Sequence, residues 1–502
     1  MKKPNILLIT SDQQHWTTLG VLNPEIHTPN LDRLAAQGTL FERAYCPNPT
    51  CSPTRSSMIT GLYPSQHGCY SLGTKLPEAV PTVGQLLSEA GYRTALVGKA
   101  HFQPLRSTEE YPSLESYPIM QDLAFWRGFN GPFYGFDHVE LARNHVDEAH
   151  VGQHYALWLE EKGCTHWRDY FQPPTGNNAS QHWLWEIPEE YHYNAWIAER
   201  TKALMSAYAA ADESFLLWAS FFDPHPPYLA PSPWHEMYDP AKLTIPQVVA
   251  GEHEKNPPHF GMTQEEDPDF GAWREPYGHA MHGCHSHLPA QKDLAQDVAV
   301  YYGMVSLMDK YIGQILDRLD ELGLAEETLV VFTSDHGHLF GQHGMTAKGP
   351  FHYEDLVKVP FVVRWPGRVA AGVRSSALQS LVDLTPTFLE VAGVDVPLKM
   401  TGVGQTAVWT TNAPPARDHI IVENRHQPTT LHLKTYVNER YKLTVYYGRE
   451  YGELFDLERD PNEINNLWDN PEAASLKKEL VWKLLQAEMG KEPLWMPRII
   501  HA

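Results

Sequence analysis

Four short apolar runs, each breaking off onto ionisable side chains, constrain this chain more than any other feature. Asn5 to Thr10 stops at Ser11-Asp12-Gln13-Gln14, and Thr94 to Gly98 runs into Lys99 and His101. Phe215 to Phe222 runs into Asp223, Pro224 and His225, and Leu329 to Thr333 into Ser334, Asp335 and His336. Such runs are too short for helices and do not alternate, so they read as strands buried on both faces. Between them, apolar residues recur at spacings of three and four over Asn30 to Gln37, Val83 to Ala90 and Ala299 to Leu322, the pattern of amphipathic helices. The alternation predicts an α/β fold, a large and mostly parallel sheet sandwiched by helices. Ligands of such sheets gather outside the carboxyl ends of the strands, so the four polar hand-overs predict one shared crevice.

Three stretches depart from this rhythm. Gln103 to Tyr193 is rich in Pro and aromatics, with Trp126, Trp158, Trp167, Trp183 and Trp185, and reads as an insertion of about residues 103–193. Its aromatic faces suit either stacking on a sugar or aryl group, or a local core. Tyr228 to Leu288 holds His279, His282, Cys284, His285 and His287, a zinc-like composition without paired spacing that reads as solvated loop. From Asn412, Thr435 to Tyr447 reads as paired strands and Glu472 to Met489 as an amphipathic helix. The division expected is a catalytic domain over 1–411 and a smaller C-terminal α+β domain over 412–502, and a chain of 502 residues is long enough for both.

Charge narrows the partners. With 39 basic and 61 acidic residues the chain carries −22, and no run of Lys or Arg builds a basic face, which excludes nucleic acid. An anionic small substrate then requires a local cluster of cations. Five cysteines, an odd and sparse set, rule out a disulfide framework. The apolar run near the start, Ile6 to Ile9, is too short for a signal-peptide core or a membrane span. The expectation is no membrane association and a cytoplasmic location as written, or a periplasmic or secreted one if the chain is a processed form.

The richest stretch is Asn48-Pro49-Thr50-Cys51-Ser52-Pro53-Thr54-Arg55-Ser56-Ser57-Met58-Ile59-Thr60-Gly61. Pro53 fits the first turn of a helix and Gly61 its end, which puts Cys51 at the N-terminus. Unpaired N–H groups and the positive end of the dipole favour an anion there, and Arg55, one turn on, can reach back to it.

Cys51-Ser52-Pro53-Thr54-Arg55 resembles the C-x-P-x-R core of the type I sulfatase signature, within the alkaline phosphatase superfamily. The similarity continues through Met58 to Gly61, through Gly91 to Lys99, where Ala100 replaces a usually bulkier residue before His101, and through Glu453 to Leu457 and Asp460-Pro461. It implies an alkaline phosphatase-like fold and one divalent metal held by Asp12, Gln13, Asp335, His336 and the side chain of residue 51. The Gln13 and His336 variants resemble the branch with choline sulfatases and phosphonate monoester hydrolases. Two carboxylates, an amide oxygen and a hydroxyl suit Ca²⁺, and the imidazole keeps Mn²⁺ open.

The same resemblance implies that formylglycine-generating machinery oxidises Cys51 to formylglycine, whose hydrate attacks sulfur. Arg55 would stabilise that diol, Lys99 and Lys348 clamp the sulfate, and His225, with Lys348, protonate the leaving alcohol. His101 would then take the proton of the second hydroxyl, releasing sulfate and restoring the aldehyde. The expected function is hydrolysis of an organic sulfate monoester, a sulfated carbohydrate on the strength of the aromatic insertion. The alternative is a phosphonate monoester or phosphodiester hydrolase using the same site.

Overall fold

A computed structural model describes residues 3–143, 151–171, 182–273, 283–284, 288–411, 413–426 and 429–500. Eight strands form the main sheet: β1 (Asn5–Ser11), β2 (Thr39–Phe41), β3 (Arg93–Gly98), β4 (His138–Leu141), β5 (Phe215–Ser220), β6 (Thr328–Ser334), β7 (Phe361–Arg364) and β8 (Val373–Ser375). Their order is β8-β2-β7-β6-β1-β5-β3-β4, and β7 alone runs against its neighbours. The four runs singled out in the sequence are therefore the four adjacent strands β6, β1, β5 and β3. Register aligns their ends, with Ser11 opposite Ser334, Thr10 opposite Ser220, and Gly98 opposite Ser220.

Burial on both faces explains why these runs do not alternate. Leu7, Ile9, Val97, Leu217 and Phe332 pack on one side with α1 (Pro29–Ala36), α5 (Tyr193–Ala210) and α6 (Gln291–Glu321). Ile6, Leu8, Leu96, Trp218 and Val331 pack on the other with α2 (Cys51–Thr60), α3 (Val83–Glu89) and α7 (Leu384–Ala392). Each such side chain contributes about 1.5–3 kcal/mol on burial, so both faces demand a helical cover.

Residues 103–193 decide between the two readings of their tryptophans in favour of a local core. They supply β4, paired in parallel with β3 at the sheet edge, α4 (Gln153–Glu161), and the residue that begins α5. Trp126, Trp158, Trp167 and Trp185 are buried in the two cores, and Trp183 packs half-buried against one of them. They are core and offer no stacking platform, because the segment covers apolar surface that the sheet would otherwise expose. The histidines at 279, 282, 285 and 287 lie outside the described residues.

The C-terminal sheet is an antiparallel meander of β9 (Ile420–His426), β10 (Leu431–Val437), β11 (Tyr441–Tyr446) and β12 (Gly452–Asp456). Helix α8 (Ala474–Gly490) lays Leu480, Leu484 and Ala487 against it, while Ile420 and Val422 join the core beneath the main sheet. All five cysteines are free thiols. Among the described residues no helix is long and apolar enough to cross a membrane.

Candidate active site

The hand-over residues do converge. Helix α2 opens at Cys51 and ends at Gly61, whose φ of +65° is left-handed and whose N–H donates to Ser57 O at 3.0 Å. Asp12, Cys51, Asp335 and His336 are all buried and present donor atoms within 4.8 Å of one another. The Cys51 thiol faces Asp12 Oδ1 at 3.6 Å and His336 Nε2 at 3.2 Å, and accepts from Lys348 Nζ at 3.1 Å. Backbone geometry sets these positions. The Asp12 N–H donates to Asp223 O at 3.1 Å and the Lys99 N–H to Ser220 O at 3.0 Å. Gly98, with φ of +110°, is required here, since a Cβ would stand 1.9 Å from Ser220 O.

The charges form two buried pairs. Asp335 Oδ1 accepts from the Gln13 and His336 N–H groups at 2.9 and 3.0 Å, and Oδ2 accepts from Arg55 Nε at 2.8 Å. Arg55 Nη1 donates to Lys99 O and Ser220 Oγ, and Nη2 is buried without a partner. The guanidinium thus holds Asp335 and keeps one N–H face open, rather than resting on residue 51. Lys99 pairs with Asp12. Burial pushes the Asp12 carboxyl up, but Lys99, Arg55 and Lys348 outweigh it and hold the group below the ordinary carboxylate range. Lys348 Nζ lies 3.0 Å from His225 Nε2 and 3.4 Å from His336 Nε2. His225 Nδ1 donates to Pro226 O at 2.6 Å, which leaves Nε2 to accept from Lys348.

His101 is held by residues that the sequence reading missed. Its N–H donates to Glu115 Oε1 at 2.7 Å, while Phe102 and Gln103 donate theirs to Oε2 at 2.8 and 2.9 Å. Arg143 Nη1 donates to Glu115 Oε1 at 3.2 Å and to Gln103 O at 3.1 Å. This clamp stabilises a left-handed backbone at His101, φ +60°, that a non-glycine residue rarely adopts. Burial, followed by the charges of Arg143, Lys99, Arg55 and Lys348, pushes the imidazole well below its ordinary pKa. It is a neutral ring whose Nδ1 has no partner.

Whether the predicted ligands fit a metal is tested by Gln13. Its Nε2 donates to His338 Nδ1 at 2.9 Å, and its Oε1 is buried without a partner. His338 Nε2 meets Tyr228 Oη at 2.9 Å, and the Tyr301 ring stacks on His338 at 5.0 Å while its hydroxyl donates to Gln13 O. His336 Nδ1 donates to Gly337 O at 3.0 Å, which frees Nε2 as a lone pair. Burial, chiefly, lowers the His336 pKa to about 4 and keeps that lone pair available. Two carboxylates, an orphaned amide oxygen and a neutral imidazole fit a divalent cation.

The family model described as Sulfatase matches residues 4–394. The chain belongs to the sulfatase family. It is a sulfuric ester hydrolase, and a second model, N-sulphoglucosamine sulphohydrolase, C-terminal, matches residues 341–490. Among relatives, an arylsulfatase of Clostridium perfringens is 28% identical, the alignment covering 97% of this chain and 96% of that one. An N-acetylglucosamine-6-O-sulfatase of Bacteroides thetaiotaomicron is 25% identical, covering 97% and 86%. A phosphonate monoester hydrolase from Silicibacter pomeroyi superimposes with a TM-score of 0.79 at 24% identity, covering 99% and 98%, and shows the shared fold. Sulfatases of this family generally use a metal ion and formylglycine, and Asp12, Cys51, Asp335 and His336 form a cluster that could hold such an ion.

Proposed function

We propose that this sulfatase cleaves the sulfate monoester of a carbohydrate at a formylglycine made from Cys51 by formylglycine-generating machinery. The observation that carries the reading is the set of groups around the residue 51 side chain. Lys348, His336 and Asp12 all touch it, and Gln13 Oε1 and Arg55 Nη2 are held beside them with capacity to spare. The carbohydrate rests on the relative named N-acetylglucosamine-6-O-sulfatase rather than on the buried tryptophans.

Asp12, Gln13, Asp335 and His336 would hold the cation, Ca²⁺ for so oxygen-rich a set, with Mn²⁺ admitted by the imidazole. When bound it supplies positive charge to the sulfonyl oxygens and acidifies a hydroxyl of residue 51. The chain does the rest. Arg55 fixes Asp335 and offers Nη2 to the reacting diol, while Lys99 and Lys348 neutralise the sulfate oxygens. His225 and Lys348, sharing a hydrogen bond, deliver a proton to the leaving alcohol. His101, neutral in its clamp, accepts the proton of the second hydroxyl as the C–O bond from residue 51 to the sulfate breaks, which releases sulfate and restores the aldehyde.

Two measurements test this. Mass spectrometry of the Cys51 peptide, from protein made in cells able to form formylglycine, is expected to show an aldehyde; a thiol in fully active enzyme would falsify the mechanism. Rates on an aryl sulfate and an aryl phosphonate are expected to favour sulfate. A large preference for phosphonate would establish instead the second reading, which the superposition on the phosphonate monoester hydrolase favours.

A further inference from the structure

Among the described residues, the 27 from Ala474 to Ile500 concentrate exposed apolar surface as no other stretch does. Helix α8 is apolar on two faces. One carries Leu480, Leu484 and Ala487 into the C-terminal sheet; the other carries Val481, Leu485 and Met489, at successive i, i+4 positions, with Trp482 beside them, into solvent. A helix apolar on both faces is normally covered on both. Beyond it, Lys491 is pinned by Glu423 and Glu488, and its carbonyl accepts from Gln66. The arm that follows is not tucked away. Leu494, Trp495, Met496, Ile499 and Ile500 are each between 63% and 80% exposed, and the Lys399 ammonium lies 5.9 Å from the Trp495 ring.

We propose that α8 and the arm over 492–500 form the interface between two copies of this chain, the arm of each lying on the outer face of the other's α8. Three observations select a second copy. The outer face and arm together present on the order of 1,000 Å² of apolar surface, beyond the largest patch of an ordinary monomer and close to one side of a standard interface. A two-fold interface needs donor and receptor surfaces on the same chain, and here an apolar arm and an uncovered apolar helix face are both present. Charge also permits it. Ala474 to Ile500 carries five basic and three acidic residues, a net of +2 in a chain of −22, so this is where two such chains meet with little repulsion.

The test is sedimentation velocity on the full chain from 0.5 to 50 μM, expected to show a dimer. A face variant, Trp482→Glu with Leu485→Glu, and an arm variant, Trp495→Glu with Ile499→Glu, are each expected to weaken association ~100-fold or more. Both leave the catalytic residues untouched, so unchanged unfolding temperature and unchanged metal content identify them as folded. Mixing the two is decisive, since one intact arm then meets one intact face and a heterodimer is expected where neither variant associates alone. A monomeric wild-type chain at 50 μM, or a dimer indifferent to both variants, overturns the proposal. So does a monomer that floats with vesicles of phosphatidylcholine and phosphatidylglycerol.

Discussion

Two buried clusters of charge in this molecule do opposite things with similar groups. At the Glu423 carboxylate, both oxygens are bonded. Oε1 accepts from Ser65 Oγ, Lys434 and Lys491, and Oε2 accepts from the Ser65 N–H, tying the segment after α2 to the C-terminal sheet. Around Cys51, Asp12 and Asp335 also have cationic partners, yet Gln13 Oε1, Arg55 Nη2 and His101 Nδ1 are buried with nothing to bind. An orphaned buried polar atom costs about 1–3 kcal/mol, so three on residues at the ends of the central strands and on helix α2 mark a place built to receive something. The closed cluster contributes stability, and the open one gives stability up.

That contrast is broken most forcefully by Cys51→Ala. Hydrolysis of an aryl sulfate is expected to fall ~10⁴-fold or more, with the unfolding temperature unchanged or raised, read by steady-state rates beside thermal melts. The reverse pattern is expected of Glu423→Gln. It strands two lysines and lowers stability by about 3 kcal/mol in urea unfolding while kcat stays within twofold. The acid limb sharpens the same point. Burial pushes the Glu423 carboxyl up, but Lys491 and Lys434 prevail and hold it down to about 2, against an ordinary 4.5. Its contribution is therefore complete above pH 4.5 and lost as pH falls towards 2, and the Gln variant should lose that part of the pH dependence of unfolding. The smallest effect is expected of His338→Phe, which frees the Gln13 amide to rotate. Metal affinity, titrated against a chelator, should fall ~10- to 100-fold without loss of fold. Unchanged affinity would show that Gln13 is set by the backbone alone.

Much of the site was legible in the sequence because strand ends in a parallel sheet announce themselves locally. Asp12, Lys99, His225, Asp335 and His336 each follow an apolar run, and the rule about carboxyl ends supplied the rest. Glu115 and Arg143 were not legible. They come from a segment without periodicity, and their relation to His101 exists only once three consecutive N–H groups turn towards one carboxylate. The Tyr228, His338 and Gln13 relay is hidden for the same reason, joining residues 110 and 325 positions apart. In the fold, the direction of β7 escaped because an apolar run looks alike whichever way it points. The tryptophans of residues 103–193 illustrate a different limit, since indoles that stack on a ligand and indoles that fill a core are the same letters.

The enclosure of helix α2 has a consequence for the order of events in the life of the chain. All ten of its residues are buried, and Cys51 itself is 1% exposed. An enzyme that rewrites this side chain must grip the peptide around it, and the finished molecule offers no such handle. Under the proposed conversion of Cys51 to formylglycine, maturation and folding would compete for the same newly made chain. On that reading a chain that folds first would keep its thiol, and unfolding it would expose the peptide again.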